Sequence, residues 1–433
     1  MTLLGQASRV VVGAVSALVI AAFIGPTSKG VLAAVVGLST IASTVLSLGM
    51  NGAATYFLGS KKWSTEESIG VLLSSTVWAV LVAAAVWILL ARVPYVASLD
   101  RQGVTLAVFT IATGAQTLSS VLGGVLLGRQ NFKLYSVQAV VAPALTLALF
   151  WAMAASGWGT TQSALWSWMV GLLVSCGPGL VVLLSWARYR VSWPAHFGQA
   201  VSYGLRASAA TAMNALNLRL DVVLLAALGG VTATGQYALA VQFTELLWIV
   251  PTAIGYVVMP AVAGSPNDDG ERSASLCRKA MLVGVVLGAI VICAGLAYVA
   301  VVPLYRQSME AILLLLPGTI AFTAAKVLGN DLYGRGLPHA HMWAAGASVV
   351  ATLCGDLLLI PLYGFVAAAI VSSLAYALYA AVILWWFHRV TGIGLIDATV
   401  PTWDDFRGLS AALVRAMRSG HVSVASSLSG SSK

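Results

Sequence analysis

Charged residues are scarce in this sequence. Asp, Glu, Lys and Arg together make up 9% of the 433 residues, whereas hydrophobic residues make up 59%. Typical soluble domains have about 25% charged residues. Because so many apolar residues cannot all be hidden inside one water-soluble core, the composition excludes a soluble globular protein, a disordered chain and a fibrous repeat. It predicts an integral membrane protein, with lipid as the solvent for most of the chain.

The residues that build metal centres and disulfide frameworks are also few. The chain has four cysteines and five histidines. No two cysteines lie within metal-ligand spacing, and three of them fall inside apolar runs, so Cys176, Cys277, Cys293 and Cys354 are interpreted as small buried hydrophobes. The histidines are scattered. The sequence therefore predicts no metal site and no cofactor.

Twelve apolar runs are each long enough to cross the hydrocarbon core of a bilayer as a helix, which takes about 20 residues. They cover residues 3–24, 31–57, 69–91, 104–127, 135–156, 164–186, 205–228, 236–262, 280–303, 309–329, 341–362 and 366–387. The first run lacks a preceding basic segment and a convincing cleavage site, so it is interpreted as a span rather than a signal peptide. The predicted fold is all-α and integral to the membrane, with twelve transmembrane helices.

Basic residues are distributed unequally between the two sets of loops. Ten lie in the loops after the even-numbered spans and five in the tail, against four in the opposite loops. The first set comprises Lys61, Lys62, Arg129, Lys133, Arg188, Arg190, Arg272, Arg278, Lys279, Arg335, Arg389, Arg407, Arg415, Arg418 and Lys433, and the second comprises Lys29, Arg92, Arg101 and Arg306. Loops rich in Lys and Arg stay in the cytoplasm. Both termini are therefore predicted to be cytoplasmic, in a bacterial-type inner (plasma) membrane, and the net charge of +9 is not taken as a sign of nucleic-acid binding.

The two halves of the chain share landmarks at a nearly fixed offset of 205 or 206 residues. The matched landmarks are Gly30 with Gly235, Gly59-Ser60 with Gly264-Ser265, and Gly128-Arg129 with Gly334-Arg335. Matches at equivalent loop positions predict a duplicated six-helix unit. Because six is even, the two copies share one orientation and are related by an axis along the membrane normal, as in several transporters.

This parallel pseudo-repeat predicts two six-helix lobes, residues 1–196 and 197–390, followed by a cytoplasmic tail over 391–433. In the tail, Thr402 and Asp405 have the spacing of a helix start. Apolar residues at helical spacing after Asp405 predict a short helix on the inner leaflet, and a tail with no function is the alternative. The Ser/Gly-rich end is predicted to be disordered.

Polar residues at membrane depth are costly and usually face a cavity or a partner, which makes them candidate site residues. The candidates for substrate binding are Arg9, Arg206, Asn214, Asn217, Arg219 and Lys326, and those for ion coupling are Asp221, Glu245 and Asp356. At 100° per residue, Arg206, Asn214, Asn217 and Asp221 share one face of the seventh span, while Arg219 points nearly opposite. Arginine makes planar, bidentate contacts with phosphate, and lysine supplies a point charge.

The carboxylates leave two interpretations open. Burial in lipid favours the protonated form of a carboxyl group, so Asp221 and Glu245 are candidates for proton or sodium coupling. Alternatively, Asp221 belongs to a structural ion pair, and Glu245 pairs with Arg219 and pins the eighth span to the seventh.

Hydroxyl and amide residues recur along two spans of the first half. They are Thr40, Ser43, Thr44, Ser47 and Asn51 in the second span, and Thr110, Thr113, Thr117 and Ser120 in the fourth. These stripes fit either the wall of a wet cavity or close helix packing through small hydroxyl residues. Near the end of the tenth span, Asp331 and Arg335 have the i, i+4 spacing of an ion pair.

Several segments carry a family resemblance. They are Phe23–Gly30 (FIGPTSKG), Ser47–Tyr56 (SLGMNGAATY), Asn217–Leu225 (NLRLDVVLL), Gly235–Ala240 (GQYALA) and Pro251. Over about residues 1–390 the chain resembles the bacterial polysaccharide-biosynthesis flippases of the Wzx type. These belong to the superfamily that also holds the lipid II flippases and the multidrug and toxin extrusion transporters. The resemblance implies export of an undecaprenyl-pyrophosphate-linked oligosaccharide from the inner to the outer leaflet.

Three functions fit the sequence to different degrees. The leading hypothesis is a secondary transporter that flips a lipid-linked glycan, with membrane lipids and a coupling proton or sodium ion as further partners. The second is a cation-coupled drug or metabolite antiporter of the same fold. The third is a membrane glycan polymerase or glycosyltransferase. The third is disfavoured because the longest outer loop, about 92–103, has Asp100 as its only acid, and no Walker loop, Rossmann glycine pattern or catalytic triad stands out. The protein is therefore predicted not to be an enzyme.

The topology can be tested by labelling with a membrane-impermeant thiol reagent. In intact cells carrying a cysteine-free background, Gln102→Cys should be labelled from outside, and cysteines placed at Lys61, Arg188 or Arg272 should not. The reason is the excess of basic residues in the latter loops, which retains them in the cytoplasm. Strong external labelling at position 61 would reverse the predicted orientation.

Overall fold

The computed structural model describes residues 2–90, 106–186, 192, 197–265, 270–403 and 405–407. These residues are almost entirely helical and contain no β-strand. The helices are α1 (Thr2–Leu46), α2 (Met50–Gly59), α3 (Thr65–Leu90), α4 (Leu106–Gly128), α5 (Phe132–Ala155), α6 (Thr161–Trp186), α7 (Phe197–Leu228), α8 (Val231–Glu245), α9 (Ile249–Ala263), α10 (Glu271–Val301), α11 (Ser308–Gly334), α12 (Pro338–Thr391) and α13 (Leu395–Thr399). Short 3₁₀ helices over Leu246–Trp248 and Pro303–Tyr305 complete the described secondary structure.

Ten helical stretches within the described residues are long and apolar enough to cross a membrane. The prediction of a multi-pass, all-helical membrane protein is therefore confirmed. Two of the ten are much longer than one crossing requires, at 37 residues (Val10–Leu46) and 54 residues (Pro338–Thr391). At 1.5 Å per residue, the longer one would measure about 80 Å if straight, against a hydrocarbon core of about 30 Å.

Both long helices are broken at a glycine. In α1, Gly25 adopts φ 74°, a left-handed conformation that glycine tolerates, and Pro26 then lacks the N–H that a continuing helix needs. In α12, Gly364 adopts φ 57°. The predicted runs 3–24 and 31–57 lie on the two sides of Gly25, and the runs 341–362 and 366–387 lie on the two sides of Gly364. The count of twelve crossings stays a prediction.

The predicted run 31–57 is not one continuous helix. Helix α1 ends at Leu46 and α2 begins at Met50, because Leu48 and Gly49 both adopt positive φ, at 49° and 70°. The intervening turn changes the chain direction within an otherwise apolar run. Hydropathy alone does not reveal it.

Buried apolar residues form three clusters that largely follow the two halves of the chain. The largest lies in the C-terminal half and includes Trp248, Phe322 and Tyr376, whose rings contact one another. The other two lie in the N-terminal half, one around Phe150 and the other around Leu122. Large apolar side chains also cover the outside of the helices, which is the arrangement expected when lipid is the solvent.

The two halves meet through glycines that the sequence repeat pairs. A Cβ atom on Gly30 would lie 1.7 Å from the carbonyl oxygen of Val231, and one on Gly235 would lie 1.8 Å from that of Pro26. Alongside, the hydroxyls of Thr27 and Thr232 are hydrogen bonded at 2.8 Å across a sequence separation of 205. The contact is reciprocal: each half offers the same surface to the other, as in an isologous interface.

A second contact joins α2 to the start of α7. The rings of Tyr56 and Tyr203 stack with centroids 4.7 Å apart. A Cβ on Gly204 would lie 2.4 Å from the carbonyl oxygen of Leu48, so the two backbones approach as closely as glycine permits. The halves are therefore held together both near Gly30 and near the Lys61 end of α2.

Two short-range predictions at the ends of helices are confirmed. Arg335 Nε donates to Asp331 Oδ1 at 2.5 Å. Thr402 and Asp405 exchange the two hydrogen bonds of a capping box, at 3.1 and 3.4 Å. Although burial raises the pKa of Asp405, its hydrogen bonds with Arg278 and Thr402 outweigh this effect and hold the pKa below its usual range. The predicted inner-leaflet helix beyond Arg407 lies outside the described residues.

The reciprocal glycine contact predicts a specific sensitivity. Gly30→Ala or Gly235→Ala should lower the free energy of unfolding by about 1–3 kcal/mol, because the added methyl group overlaps a backbone carbonyl that cannot move without separating the halves. Thermal unfolding of the purified protein in detergent measures the effect. Gly346→Ala is the matched control, since a Cβ there meets nothing within 4 Å. Equal melting temperatures for all three variants would contradict the packing.

Candidate transport cavity and buried carboxylate cluster

A cavity of about 310 Å³ lies between the two halves of the chain. Helices α1, α5 and α6 line it from the N-terminal half, and α7 and α8 line it from the C-terminal half. Most of its wall is apolar, with side chains such as Ile20, Leu32, Trp168 and Val241. A largely apolar site with a few convergent polar groups is typical of ligand cavities.

Three charged side chains enter this cavity, which we call the transport cavity. Arg219 Nη1 lies 3.0 Å from Glu245 Oε1, so α7 and α8 are joined by an ion pair at the cavity wall. Lys29 is 2% exposed, and its Nζ donates to Gln242 Oε1 at 3.1 Å. No carboxylate lies within ion-pairing distance of Lys29 among the described residues.

Two basic side chains and one carboxylate thus enter the cavity, which has an excess of one positive charge when both basic groups are protonated. In a wall of low polarity, a charge that lacks a counter-ion is costly. The neutral amide of Gln242 supplies a hydrogen bond to Lys29 but no compensating charge. An anion held beside Lys29 and Arg219 would provide that compensation.

Two tyrosines of the C-terminal half donate hydrogen bonds to backbone carbonyls of α1 beside the cavity. Tyr298 Oη donates to the carbonyl oxygen of Leu18 at 2.9 Å, and Tyr305 Oη donates to that of Ala21 at 3.0 Å. Both bonds lie just before the break at Gly25, and the Thr27–Thr232 contact lies just after it. The kinked part of α1 is thus held against the C-terminal half on both sides of the break.

A separate group of polar side chains is buried inside the C-terminal half, and we call it the carboxylate cluster. It comprises Asn217 and Asp221 of α7, Tyr237 of α8, and Ser348, Thr352, Asp356 and Ser372 of α12, all of them buried. It lies on the opposite side of α7 from Arg219, as the helical geometry of the sequence predicts.

Asp221 is 1% exposed and is surrounded by donors. Its Oδ2 accepts from Tyr237 Oη at 2.5 Å and from Ser372 Oγ at 3.0 Å, and its Oδ1 accepts from the backbone N–H of Val222 at 2.7 Å. One turn earlier, Asn217 Oδ1 accepts a short hydrogen bond from Ser348 Oγ. These bonds connect α7 with α8 and with both segments of α12.

Asp356 is the least satisfied member of the cluster. It is 0% exposed, and neither of its carboxylate oxygens has a hydrogen-bonding partner within the described part of the chain. The same holds for Thr352 Oγ1, one turn away on the same face of α12. Because a bare carboxylate is very costly in such a site, a bound cation or proton would stabilise Asp356. The surrounding carboxylate, hydroxyl and amide oxygens are donors of the kind that suits a hard cation.

The structure separates the predicted site residues into groups. Arg219 and Glu245 meet at the transport cavity, and Asn217, Asp221 and Asp356 belong to the carboxylate cluster. Asn214 is half-buried on α7. Lys326 lies apart from the cavity wall, with its Nζ 5.1 Å from the ring centroid of Trp248 and 5.0 Å from that of Phe322. The side chains of Arg9 and Arg206 lie outside the described part of the structure.

The sequence pattern predicts Lys29 in an outer loop and does not identify it as a site residue. The structure corrects this placement: Lys29 lies in the helical segment that restarts at Pro26, and it is buried in the cavity wall. The difference arises because the predicted apolar run begins at residue 31, after Lys29. In the sequence, Gly25-Pro26 just before Lys29 indicates the helix break.

The fold resembles that of solved membrane transporters. A structure of the lipid II flippase MurJ in an inward closed conformation superposes with a TM-score of 0.72 at 11% identity, covering 91% of this chain and 88% of that one. A MATE-family multidrug transporter of the MOP superfamily gives 0.65 at 14% identity in an inward-facing conformation, covering 90% and 95%. An outward-facing structure of such a transporter gives 0.58 at 12% identity, covering 90% and 94%.

At these identities the structural likeness shows the fold alone, which is similar to the folds of the lipid II flippase and of the MATE-family transporters. No curated protein sequence matches the chain significantly. A family model described as polysaccharide biosynthesis protein matches residues 1–266, more than half of the chain. This match shows that the chain belongs to the polysaccharide biosynthesis protein family.

Proposed function

We propose that the protein is a flippase that moves an undecaprenyl-pyrophosphate-linked oligosaccharide from the inner to the outer leaflet for cell-surface polysaccharide synthesis. The observation that carries the proposal is that two basic side chains, Lys29 and Arg219, enter the transport cavity with only one carboxylate, Glu245. Lys29 and Arg219 would hold the pyrophosphate, and Glu245 would keep Arg219 in position. The prenyl chain would stay in lipid while the head group occupies the cavity.

The proposal includes a twelve-crossing topology with two lobes, residues 1–196 and 197–390, and a cytoplasmic tail from 391. The breaks at Gly25 and Gly364 support it, because each divides an overlong helix into two segments of membrane-spanning length. The reciprocal contact of Gly30 with Gly235 supports a duplicated unit related by an axis through that contact. The predicted orientation puts this contact at the outer face of an inner (plasma) membrane.

Transport would then proceed by alternating access. The contacts of Thr27 with Thr232, and of Tyr298 and Tyr305 with α1, form the outer closure in the proposal. Passage of the head group to the outer leaflet requires these hydrogen bonds to break, and the carbonyls of Leu18 and Ala21 would then be free.

The carboxylate cluster is proposed as the site of coupling to a proton or a sodium ion. Asp356 has no partner in the described structure, and Asp221 already accepts three hydrogen bonds, so an additional positive charge would be bound between them most favourably. The coupling ion can drive the lobes only if the two arrangements differ in their affinity for it. Because Glu245 is paired with Arg219, we assign it the role of positioning Arg219 at the cavity and not that of binding the coupling ion.

Organic cations fit the transport cavity poorly. A drug antiporter for such cations would place a net negative charge or an aromatic surface where its substrate binds, and here the excess charge is positive. The family match and the charge therefore favour an anionic, lipid-linked substrate over the drug or metabolite alternative. Neither a catalytic step nor an enzyme activity is proposed.

Removal of the Arg219 charge should impair transport. Arg219→Gln is expected to slow the flipping of a fluorescent undecaprenyl-pyrophosphate-linked oligosaccharide in proteoliposomes by about 10- to 100-fold, since a hydrogen bond between charged groups contributes about 1.5–3 kcal/mol. Arg306→Gln is the control, because Arg306 is exposed and is not in the cavity wall.

A double variant separates binding from folding. Arg219→Gln leaves Glu245 without its partner, which can itself destabilise the protein, whereas Arg219→Gln with Glu245→Gln removes both charges. If Arg219 binds substrate, the double variant should regain stability but not flipping. Full recovery of flipping in the double variant would show that Arg219 serves only the ion pair.

Coupling should depend on the buried carboxylates. In proteoliposomes with imposed proton or sodium gradients, Asp221→Asn and Asp356→Asn should each bind the lipid-linked glycan and lose the acceleration by the gradient, because an amide cannot exchange a proton or neutralise a cation. Asp397→Asn, at an exposed position in α13, is the control. A full gradient response in the Asp356 variant would eliminate this residue as part of the coupling site.

A further inference from the structure

A second cavity, of about 370 Å³, lies wholly within the N-terminal half. It is formed by α2, α4 and the first turns of α5, close to the end of the half that carries Lys61 and Lys62. We call it the amide cavity. Its size is within the range of small-molecule sites. Neither the transport cavity nor the carboxylate cluster shares a lining residue with it.

The lining of the amide cavity has a distinctive chemistry. No charged side chain of the described residues contributes to it. Its polar residues are amides and hydroxyls, namely Asn51, Gln116, Gln138, Thr55, Ser119, Ser120 and Tyr135. A ligand that is charged would find no counter-ion here, whereas a neutral ligand rich in hydroxyl groups would find donors and acceptors on three helices.

Gln138 has an unmet hydrogen-bonding group at this cavity. The residue is only 6% exposed, and its Nε2 donates to the backbone carbonyl and the hydroxyl of Ser119, at 3.1 and 3.0 Å. These bonds fix the orientation of the amide. Its Oε1 is buried and has no partner among the described residues. A buried acceptor without a partner costs about 1–3 kcal/mol, so a ligand donor would be favoured if the Gln138 side chain turned its Oε1 toward the cavity.

Glycines keep the amide cavity open while the helices around it are closely packed. A Cβ on Gly124 would lie 2.2 Å from the carbonyl oxygen of Asn51, so α2 and α4 meet there at backbone distance. By contrast, a Cβ on Gly52 would meet nothing within 4 Å, although Gly52 lines the cavity. At Gly123 a Cβ would lie 3.2 Å from the ring of Tyr135. The Tyr135 ring therefore lies close to residue 123, where a side chain would crowd it.

The amide cavity is linked to the transport cavity through the second segment of α1. Gly37 lines the transport cavity, and Thr40, one turn further on, accepts a hydrogen bond from Gln116 Nε2 at 3.0 Å. Gln116 lines the amide cavity. The two cavities are thus adjacent along one helix, one of them cationic and the other neutral.

We propose that the amide cavity binds a neutral sugar unit of the glycan as the substrate enters from the cytoplasmic side. The proposal rests on the proposed function for the identity of the substrate. Sugar hydroxyls both donate and accept, as the amides require, and the ring of Tyr135 offers an apolar face to the C–H groups of a sugar. The N-terminal lobe would hold the glycan while the pyrophosphate lies beside Lys29 and Arg219.

The test uses the full-length protein in nanodiscs and saturation-transfer-difference NMR. The probes are glucose, galactose, mannose, rhamnose and N-acetylglucosamine, each at millimolar concentration. At least one sugar should receive saturation from the wild-type protein. Gly52→Leu should abolish the transfer, because the leucine fills the cavity, and Gly346→Leu should retain it, because the space beside Gly346 is outside the cavity. Gln138→Met, which keeps the shape of the side chain, should weaken binding about fivefold.

Each outcome has a defined meaning. Transfer from the wild type to none of the five sugars, or equal transfer from the Gly52→Leu and Gly346→Leu proteins, overturns the proposed sugar site. The flipping of the lipid-linked oligosaccharide is measured in parallel on the wild type. If the wild type flips the lipid but binds no sugar, the sugar site is rejected and the proposed function stands. If it binds sugar in a Gly52-dependent manner but flips no lipid-linked glycan, the proposed function is rejected and the sugar site stands.

Discussion

The cost of charge at membrane depth is the constraint on which this structure depends. Lys29, Arg219 and Glu245 enter one largely apolar cavity, and only two of them neutralise each other. Lys29 lies in the helical segment that follows the break at Gly25-Pro26, and this segment lines the cavity. The close contact of Gly30 with Gly235 then holds this part of α1 against the other half. The remaining positive charge is the basis for an anionic substrate.

Helix α7 connects the two polar regions of the C-terminal half. Arg219 and Asp221 are two residues apart and lie about 200° apart around the helix, so one faces the transport cavity and the other the carboxylate cluster. A rotation or shift of α7 would change both environments at once. This arrangement offers a physical route by which an ion bound near Asp221 and Asp356 could alter the position of Arg219. The amide cavity adds a neutral region on the other lobe, next to the cavity that holds Lys29 and Arg219.

Much of the fold follows from the sequence because lipid imposes simple rules. Apolar runs predict the helices, the spacing of Asp331 and Arg335 predicts their ion pair, and helical geometry predicts opposite faces for Arg219 and Asp221. The pairing of Arg219 with Glu245 was one of two alternatives, and the structure contains that pair. Lys29 was missed because hydropathy does not register a helix break that brings a terminal residue inward.

The sequence does not determine whether the hydroxyl stripes pack against another helix or line a cavity. Thr117 Oγ1 donates to Ser43 Oγ at 3.2 Å, which is close packing, whereas Asn51 and Ser120 of the same two stripes line the amide cavity. The difference arises from how α1, α2 and α4 cross, and the turn at Leu48 and Gly49 sets that geometry. The lack of a partner for Asp356 likewise depends on contacts between helices distant in sequence. Neither feature has a local pattern from which it could be predicted.

The sign of the charge in the transport cavity can be tested directly by competition. The purified protein would be mixed with equimolar undecaprenyl pyrophosphate and tetraphenylphosphonium, and the bound ligands would be identified by native mass spectrometry. The excess positive charge predicts an adduct with the pyrophosphate lipid and none with the organic cation. Retention of tetraphenylphosphonium in preference to the pyrophosphate lipid would contradict a cavity built for an anionic head group.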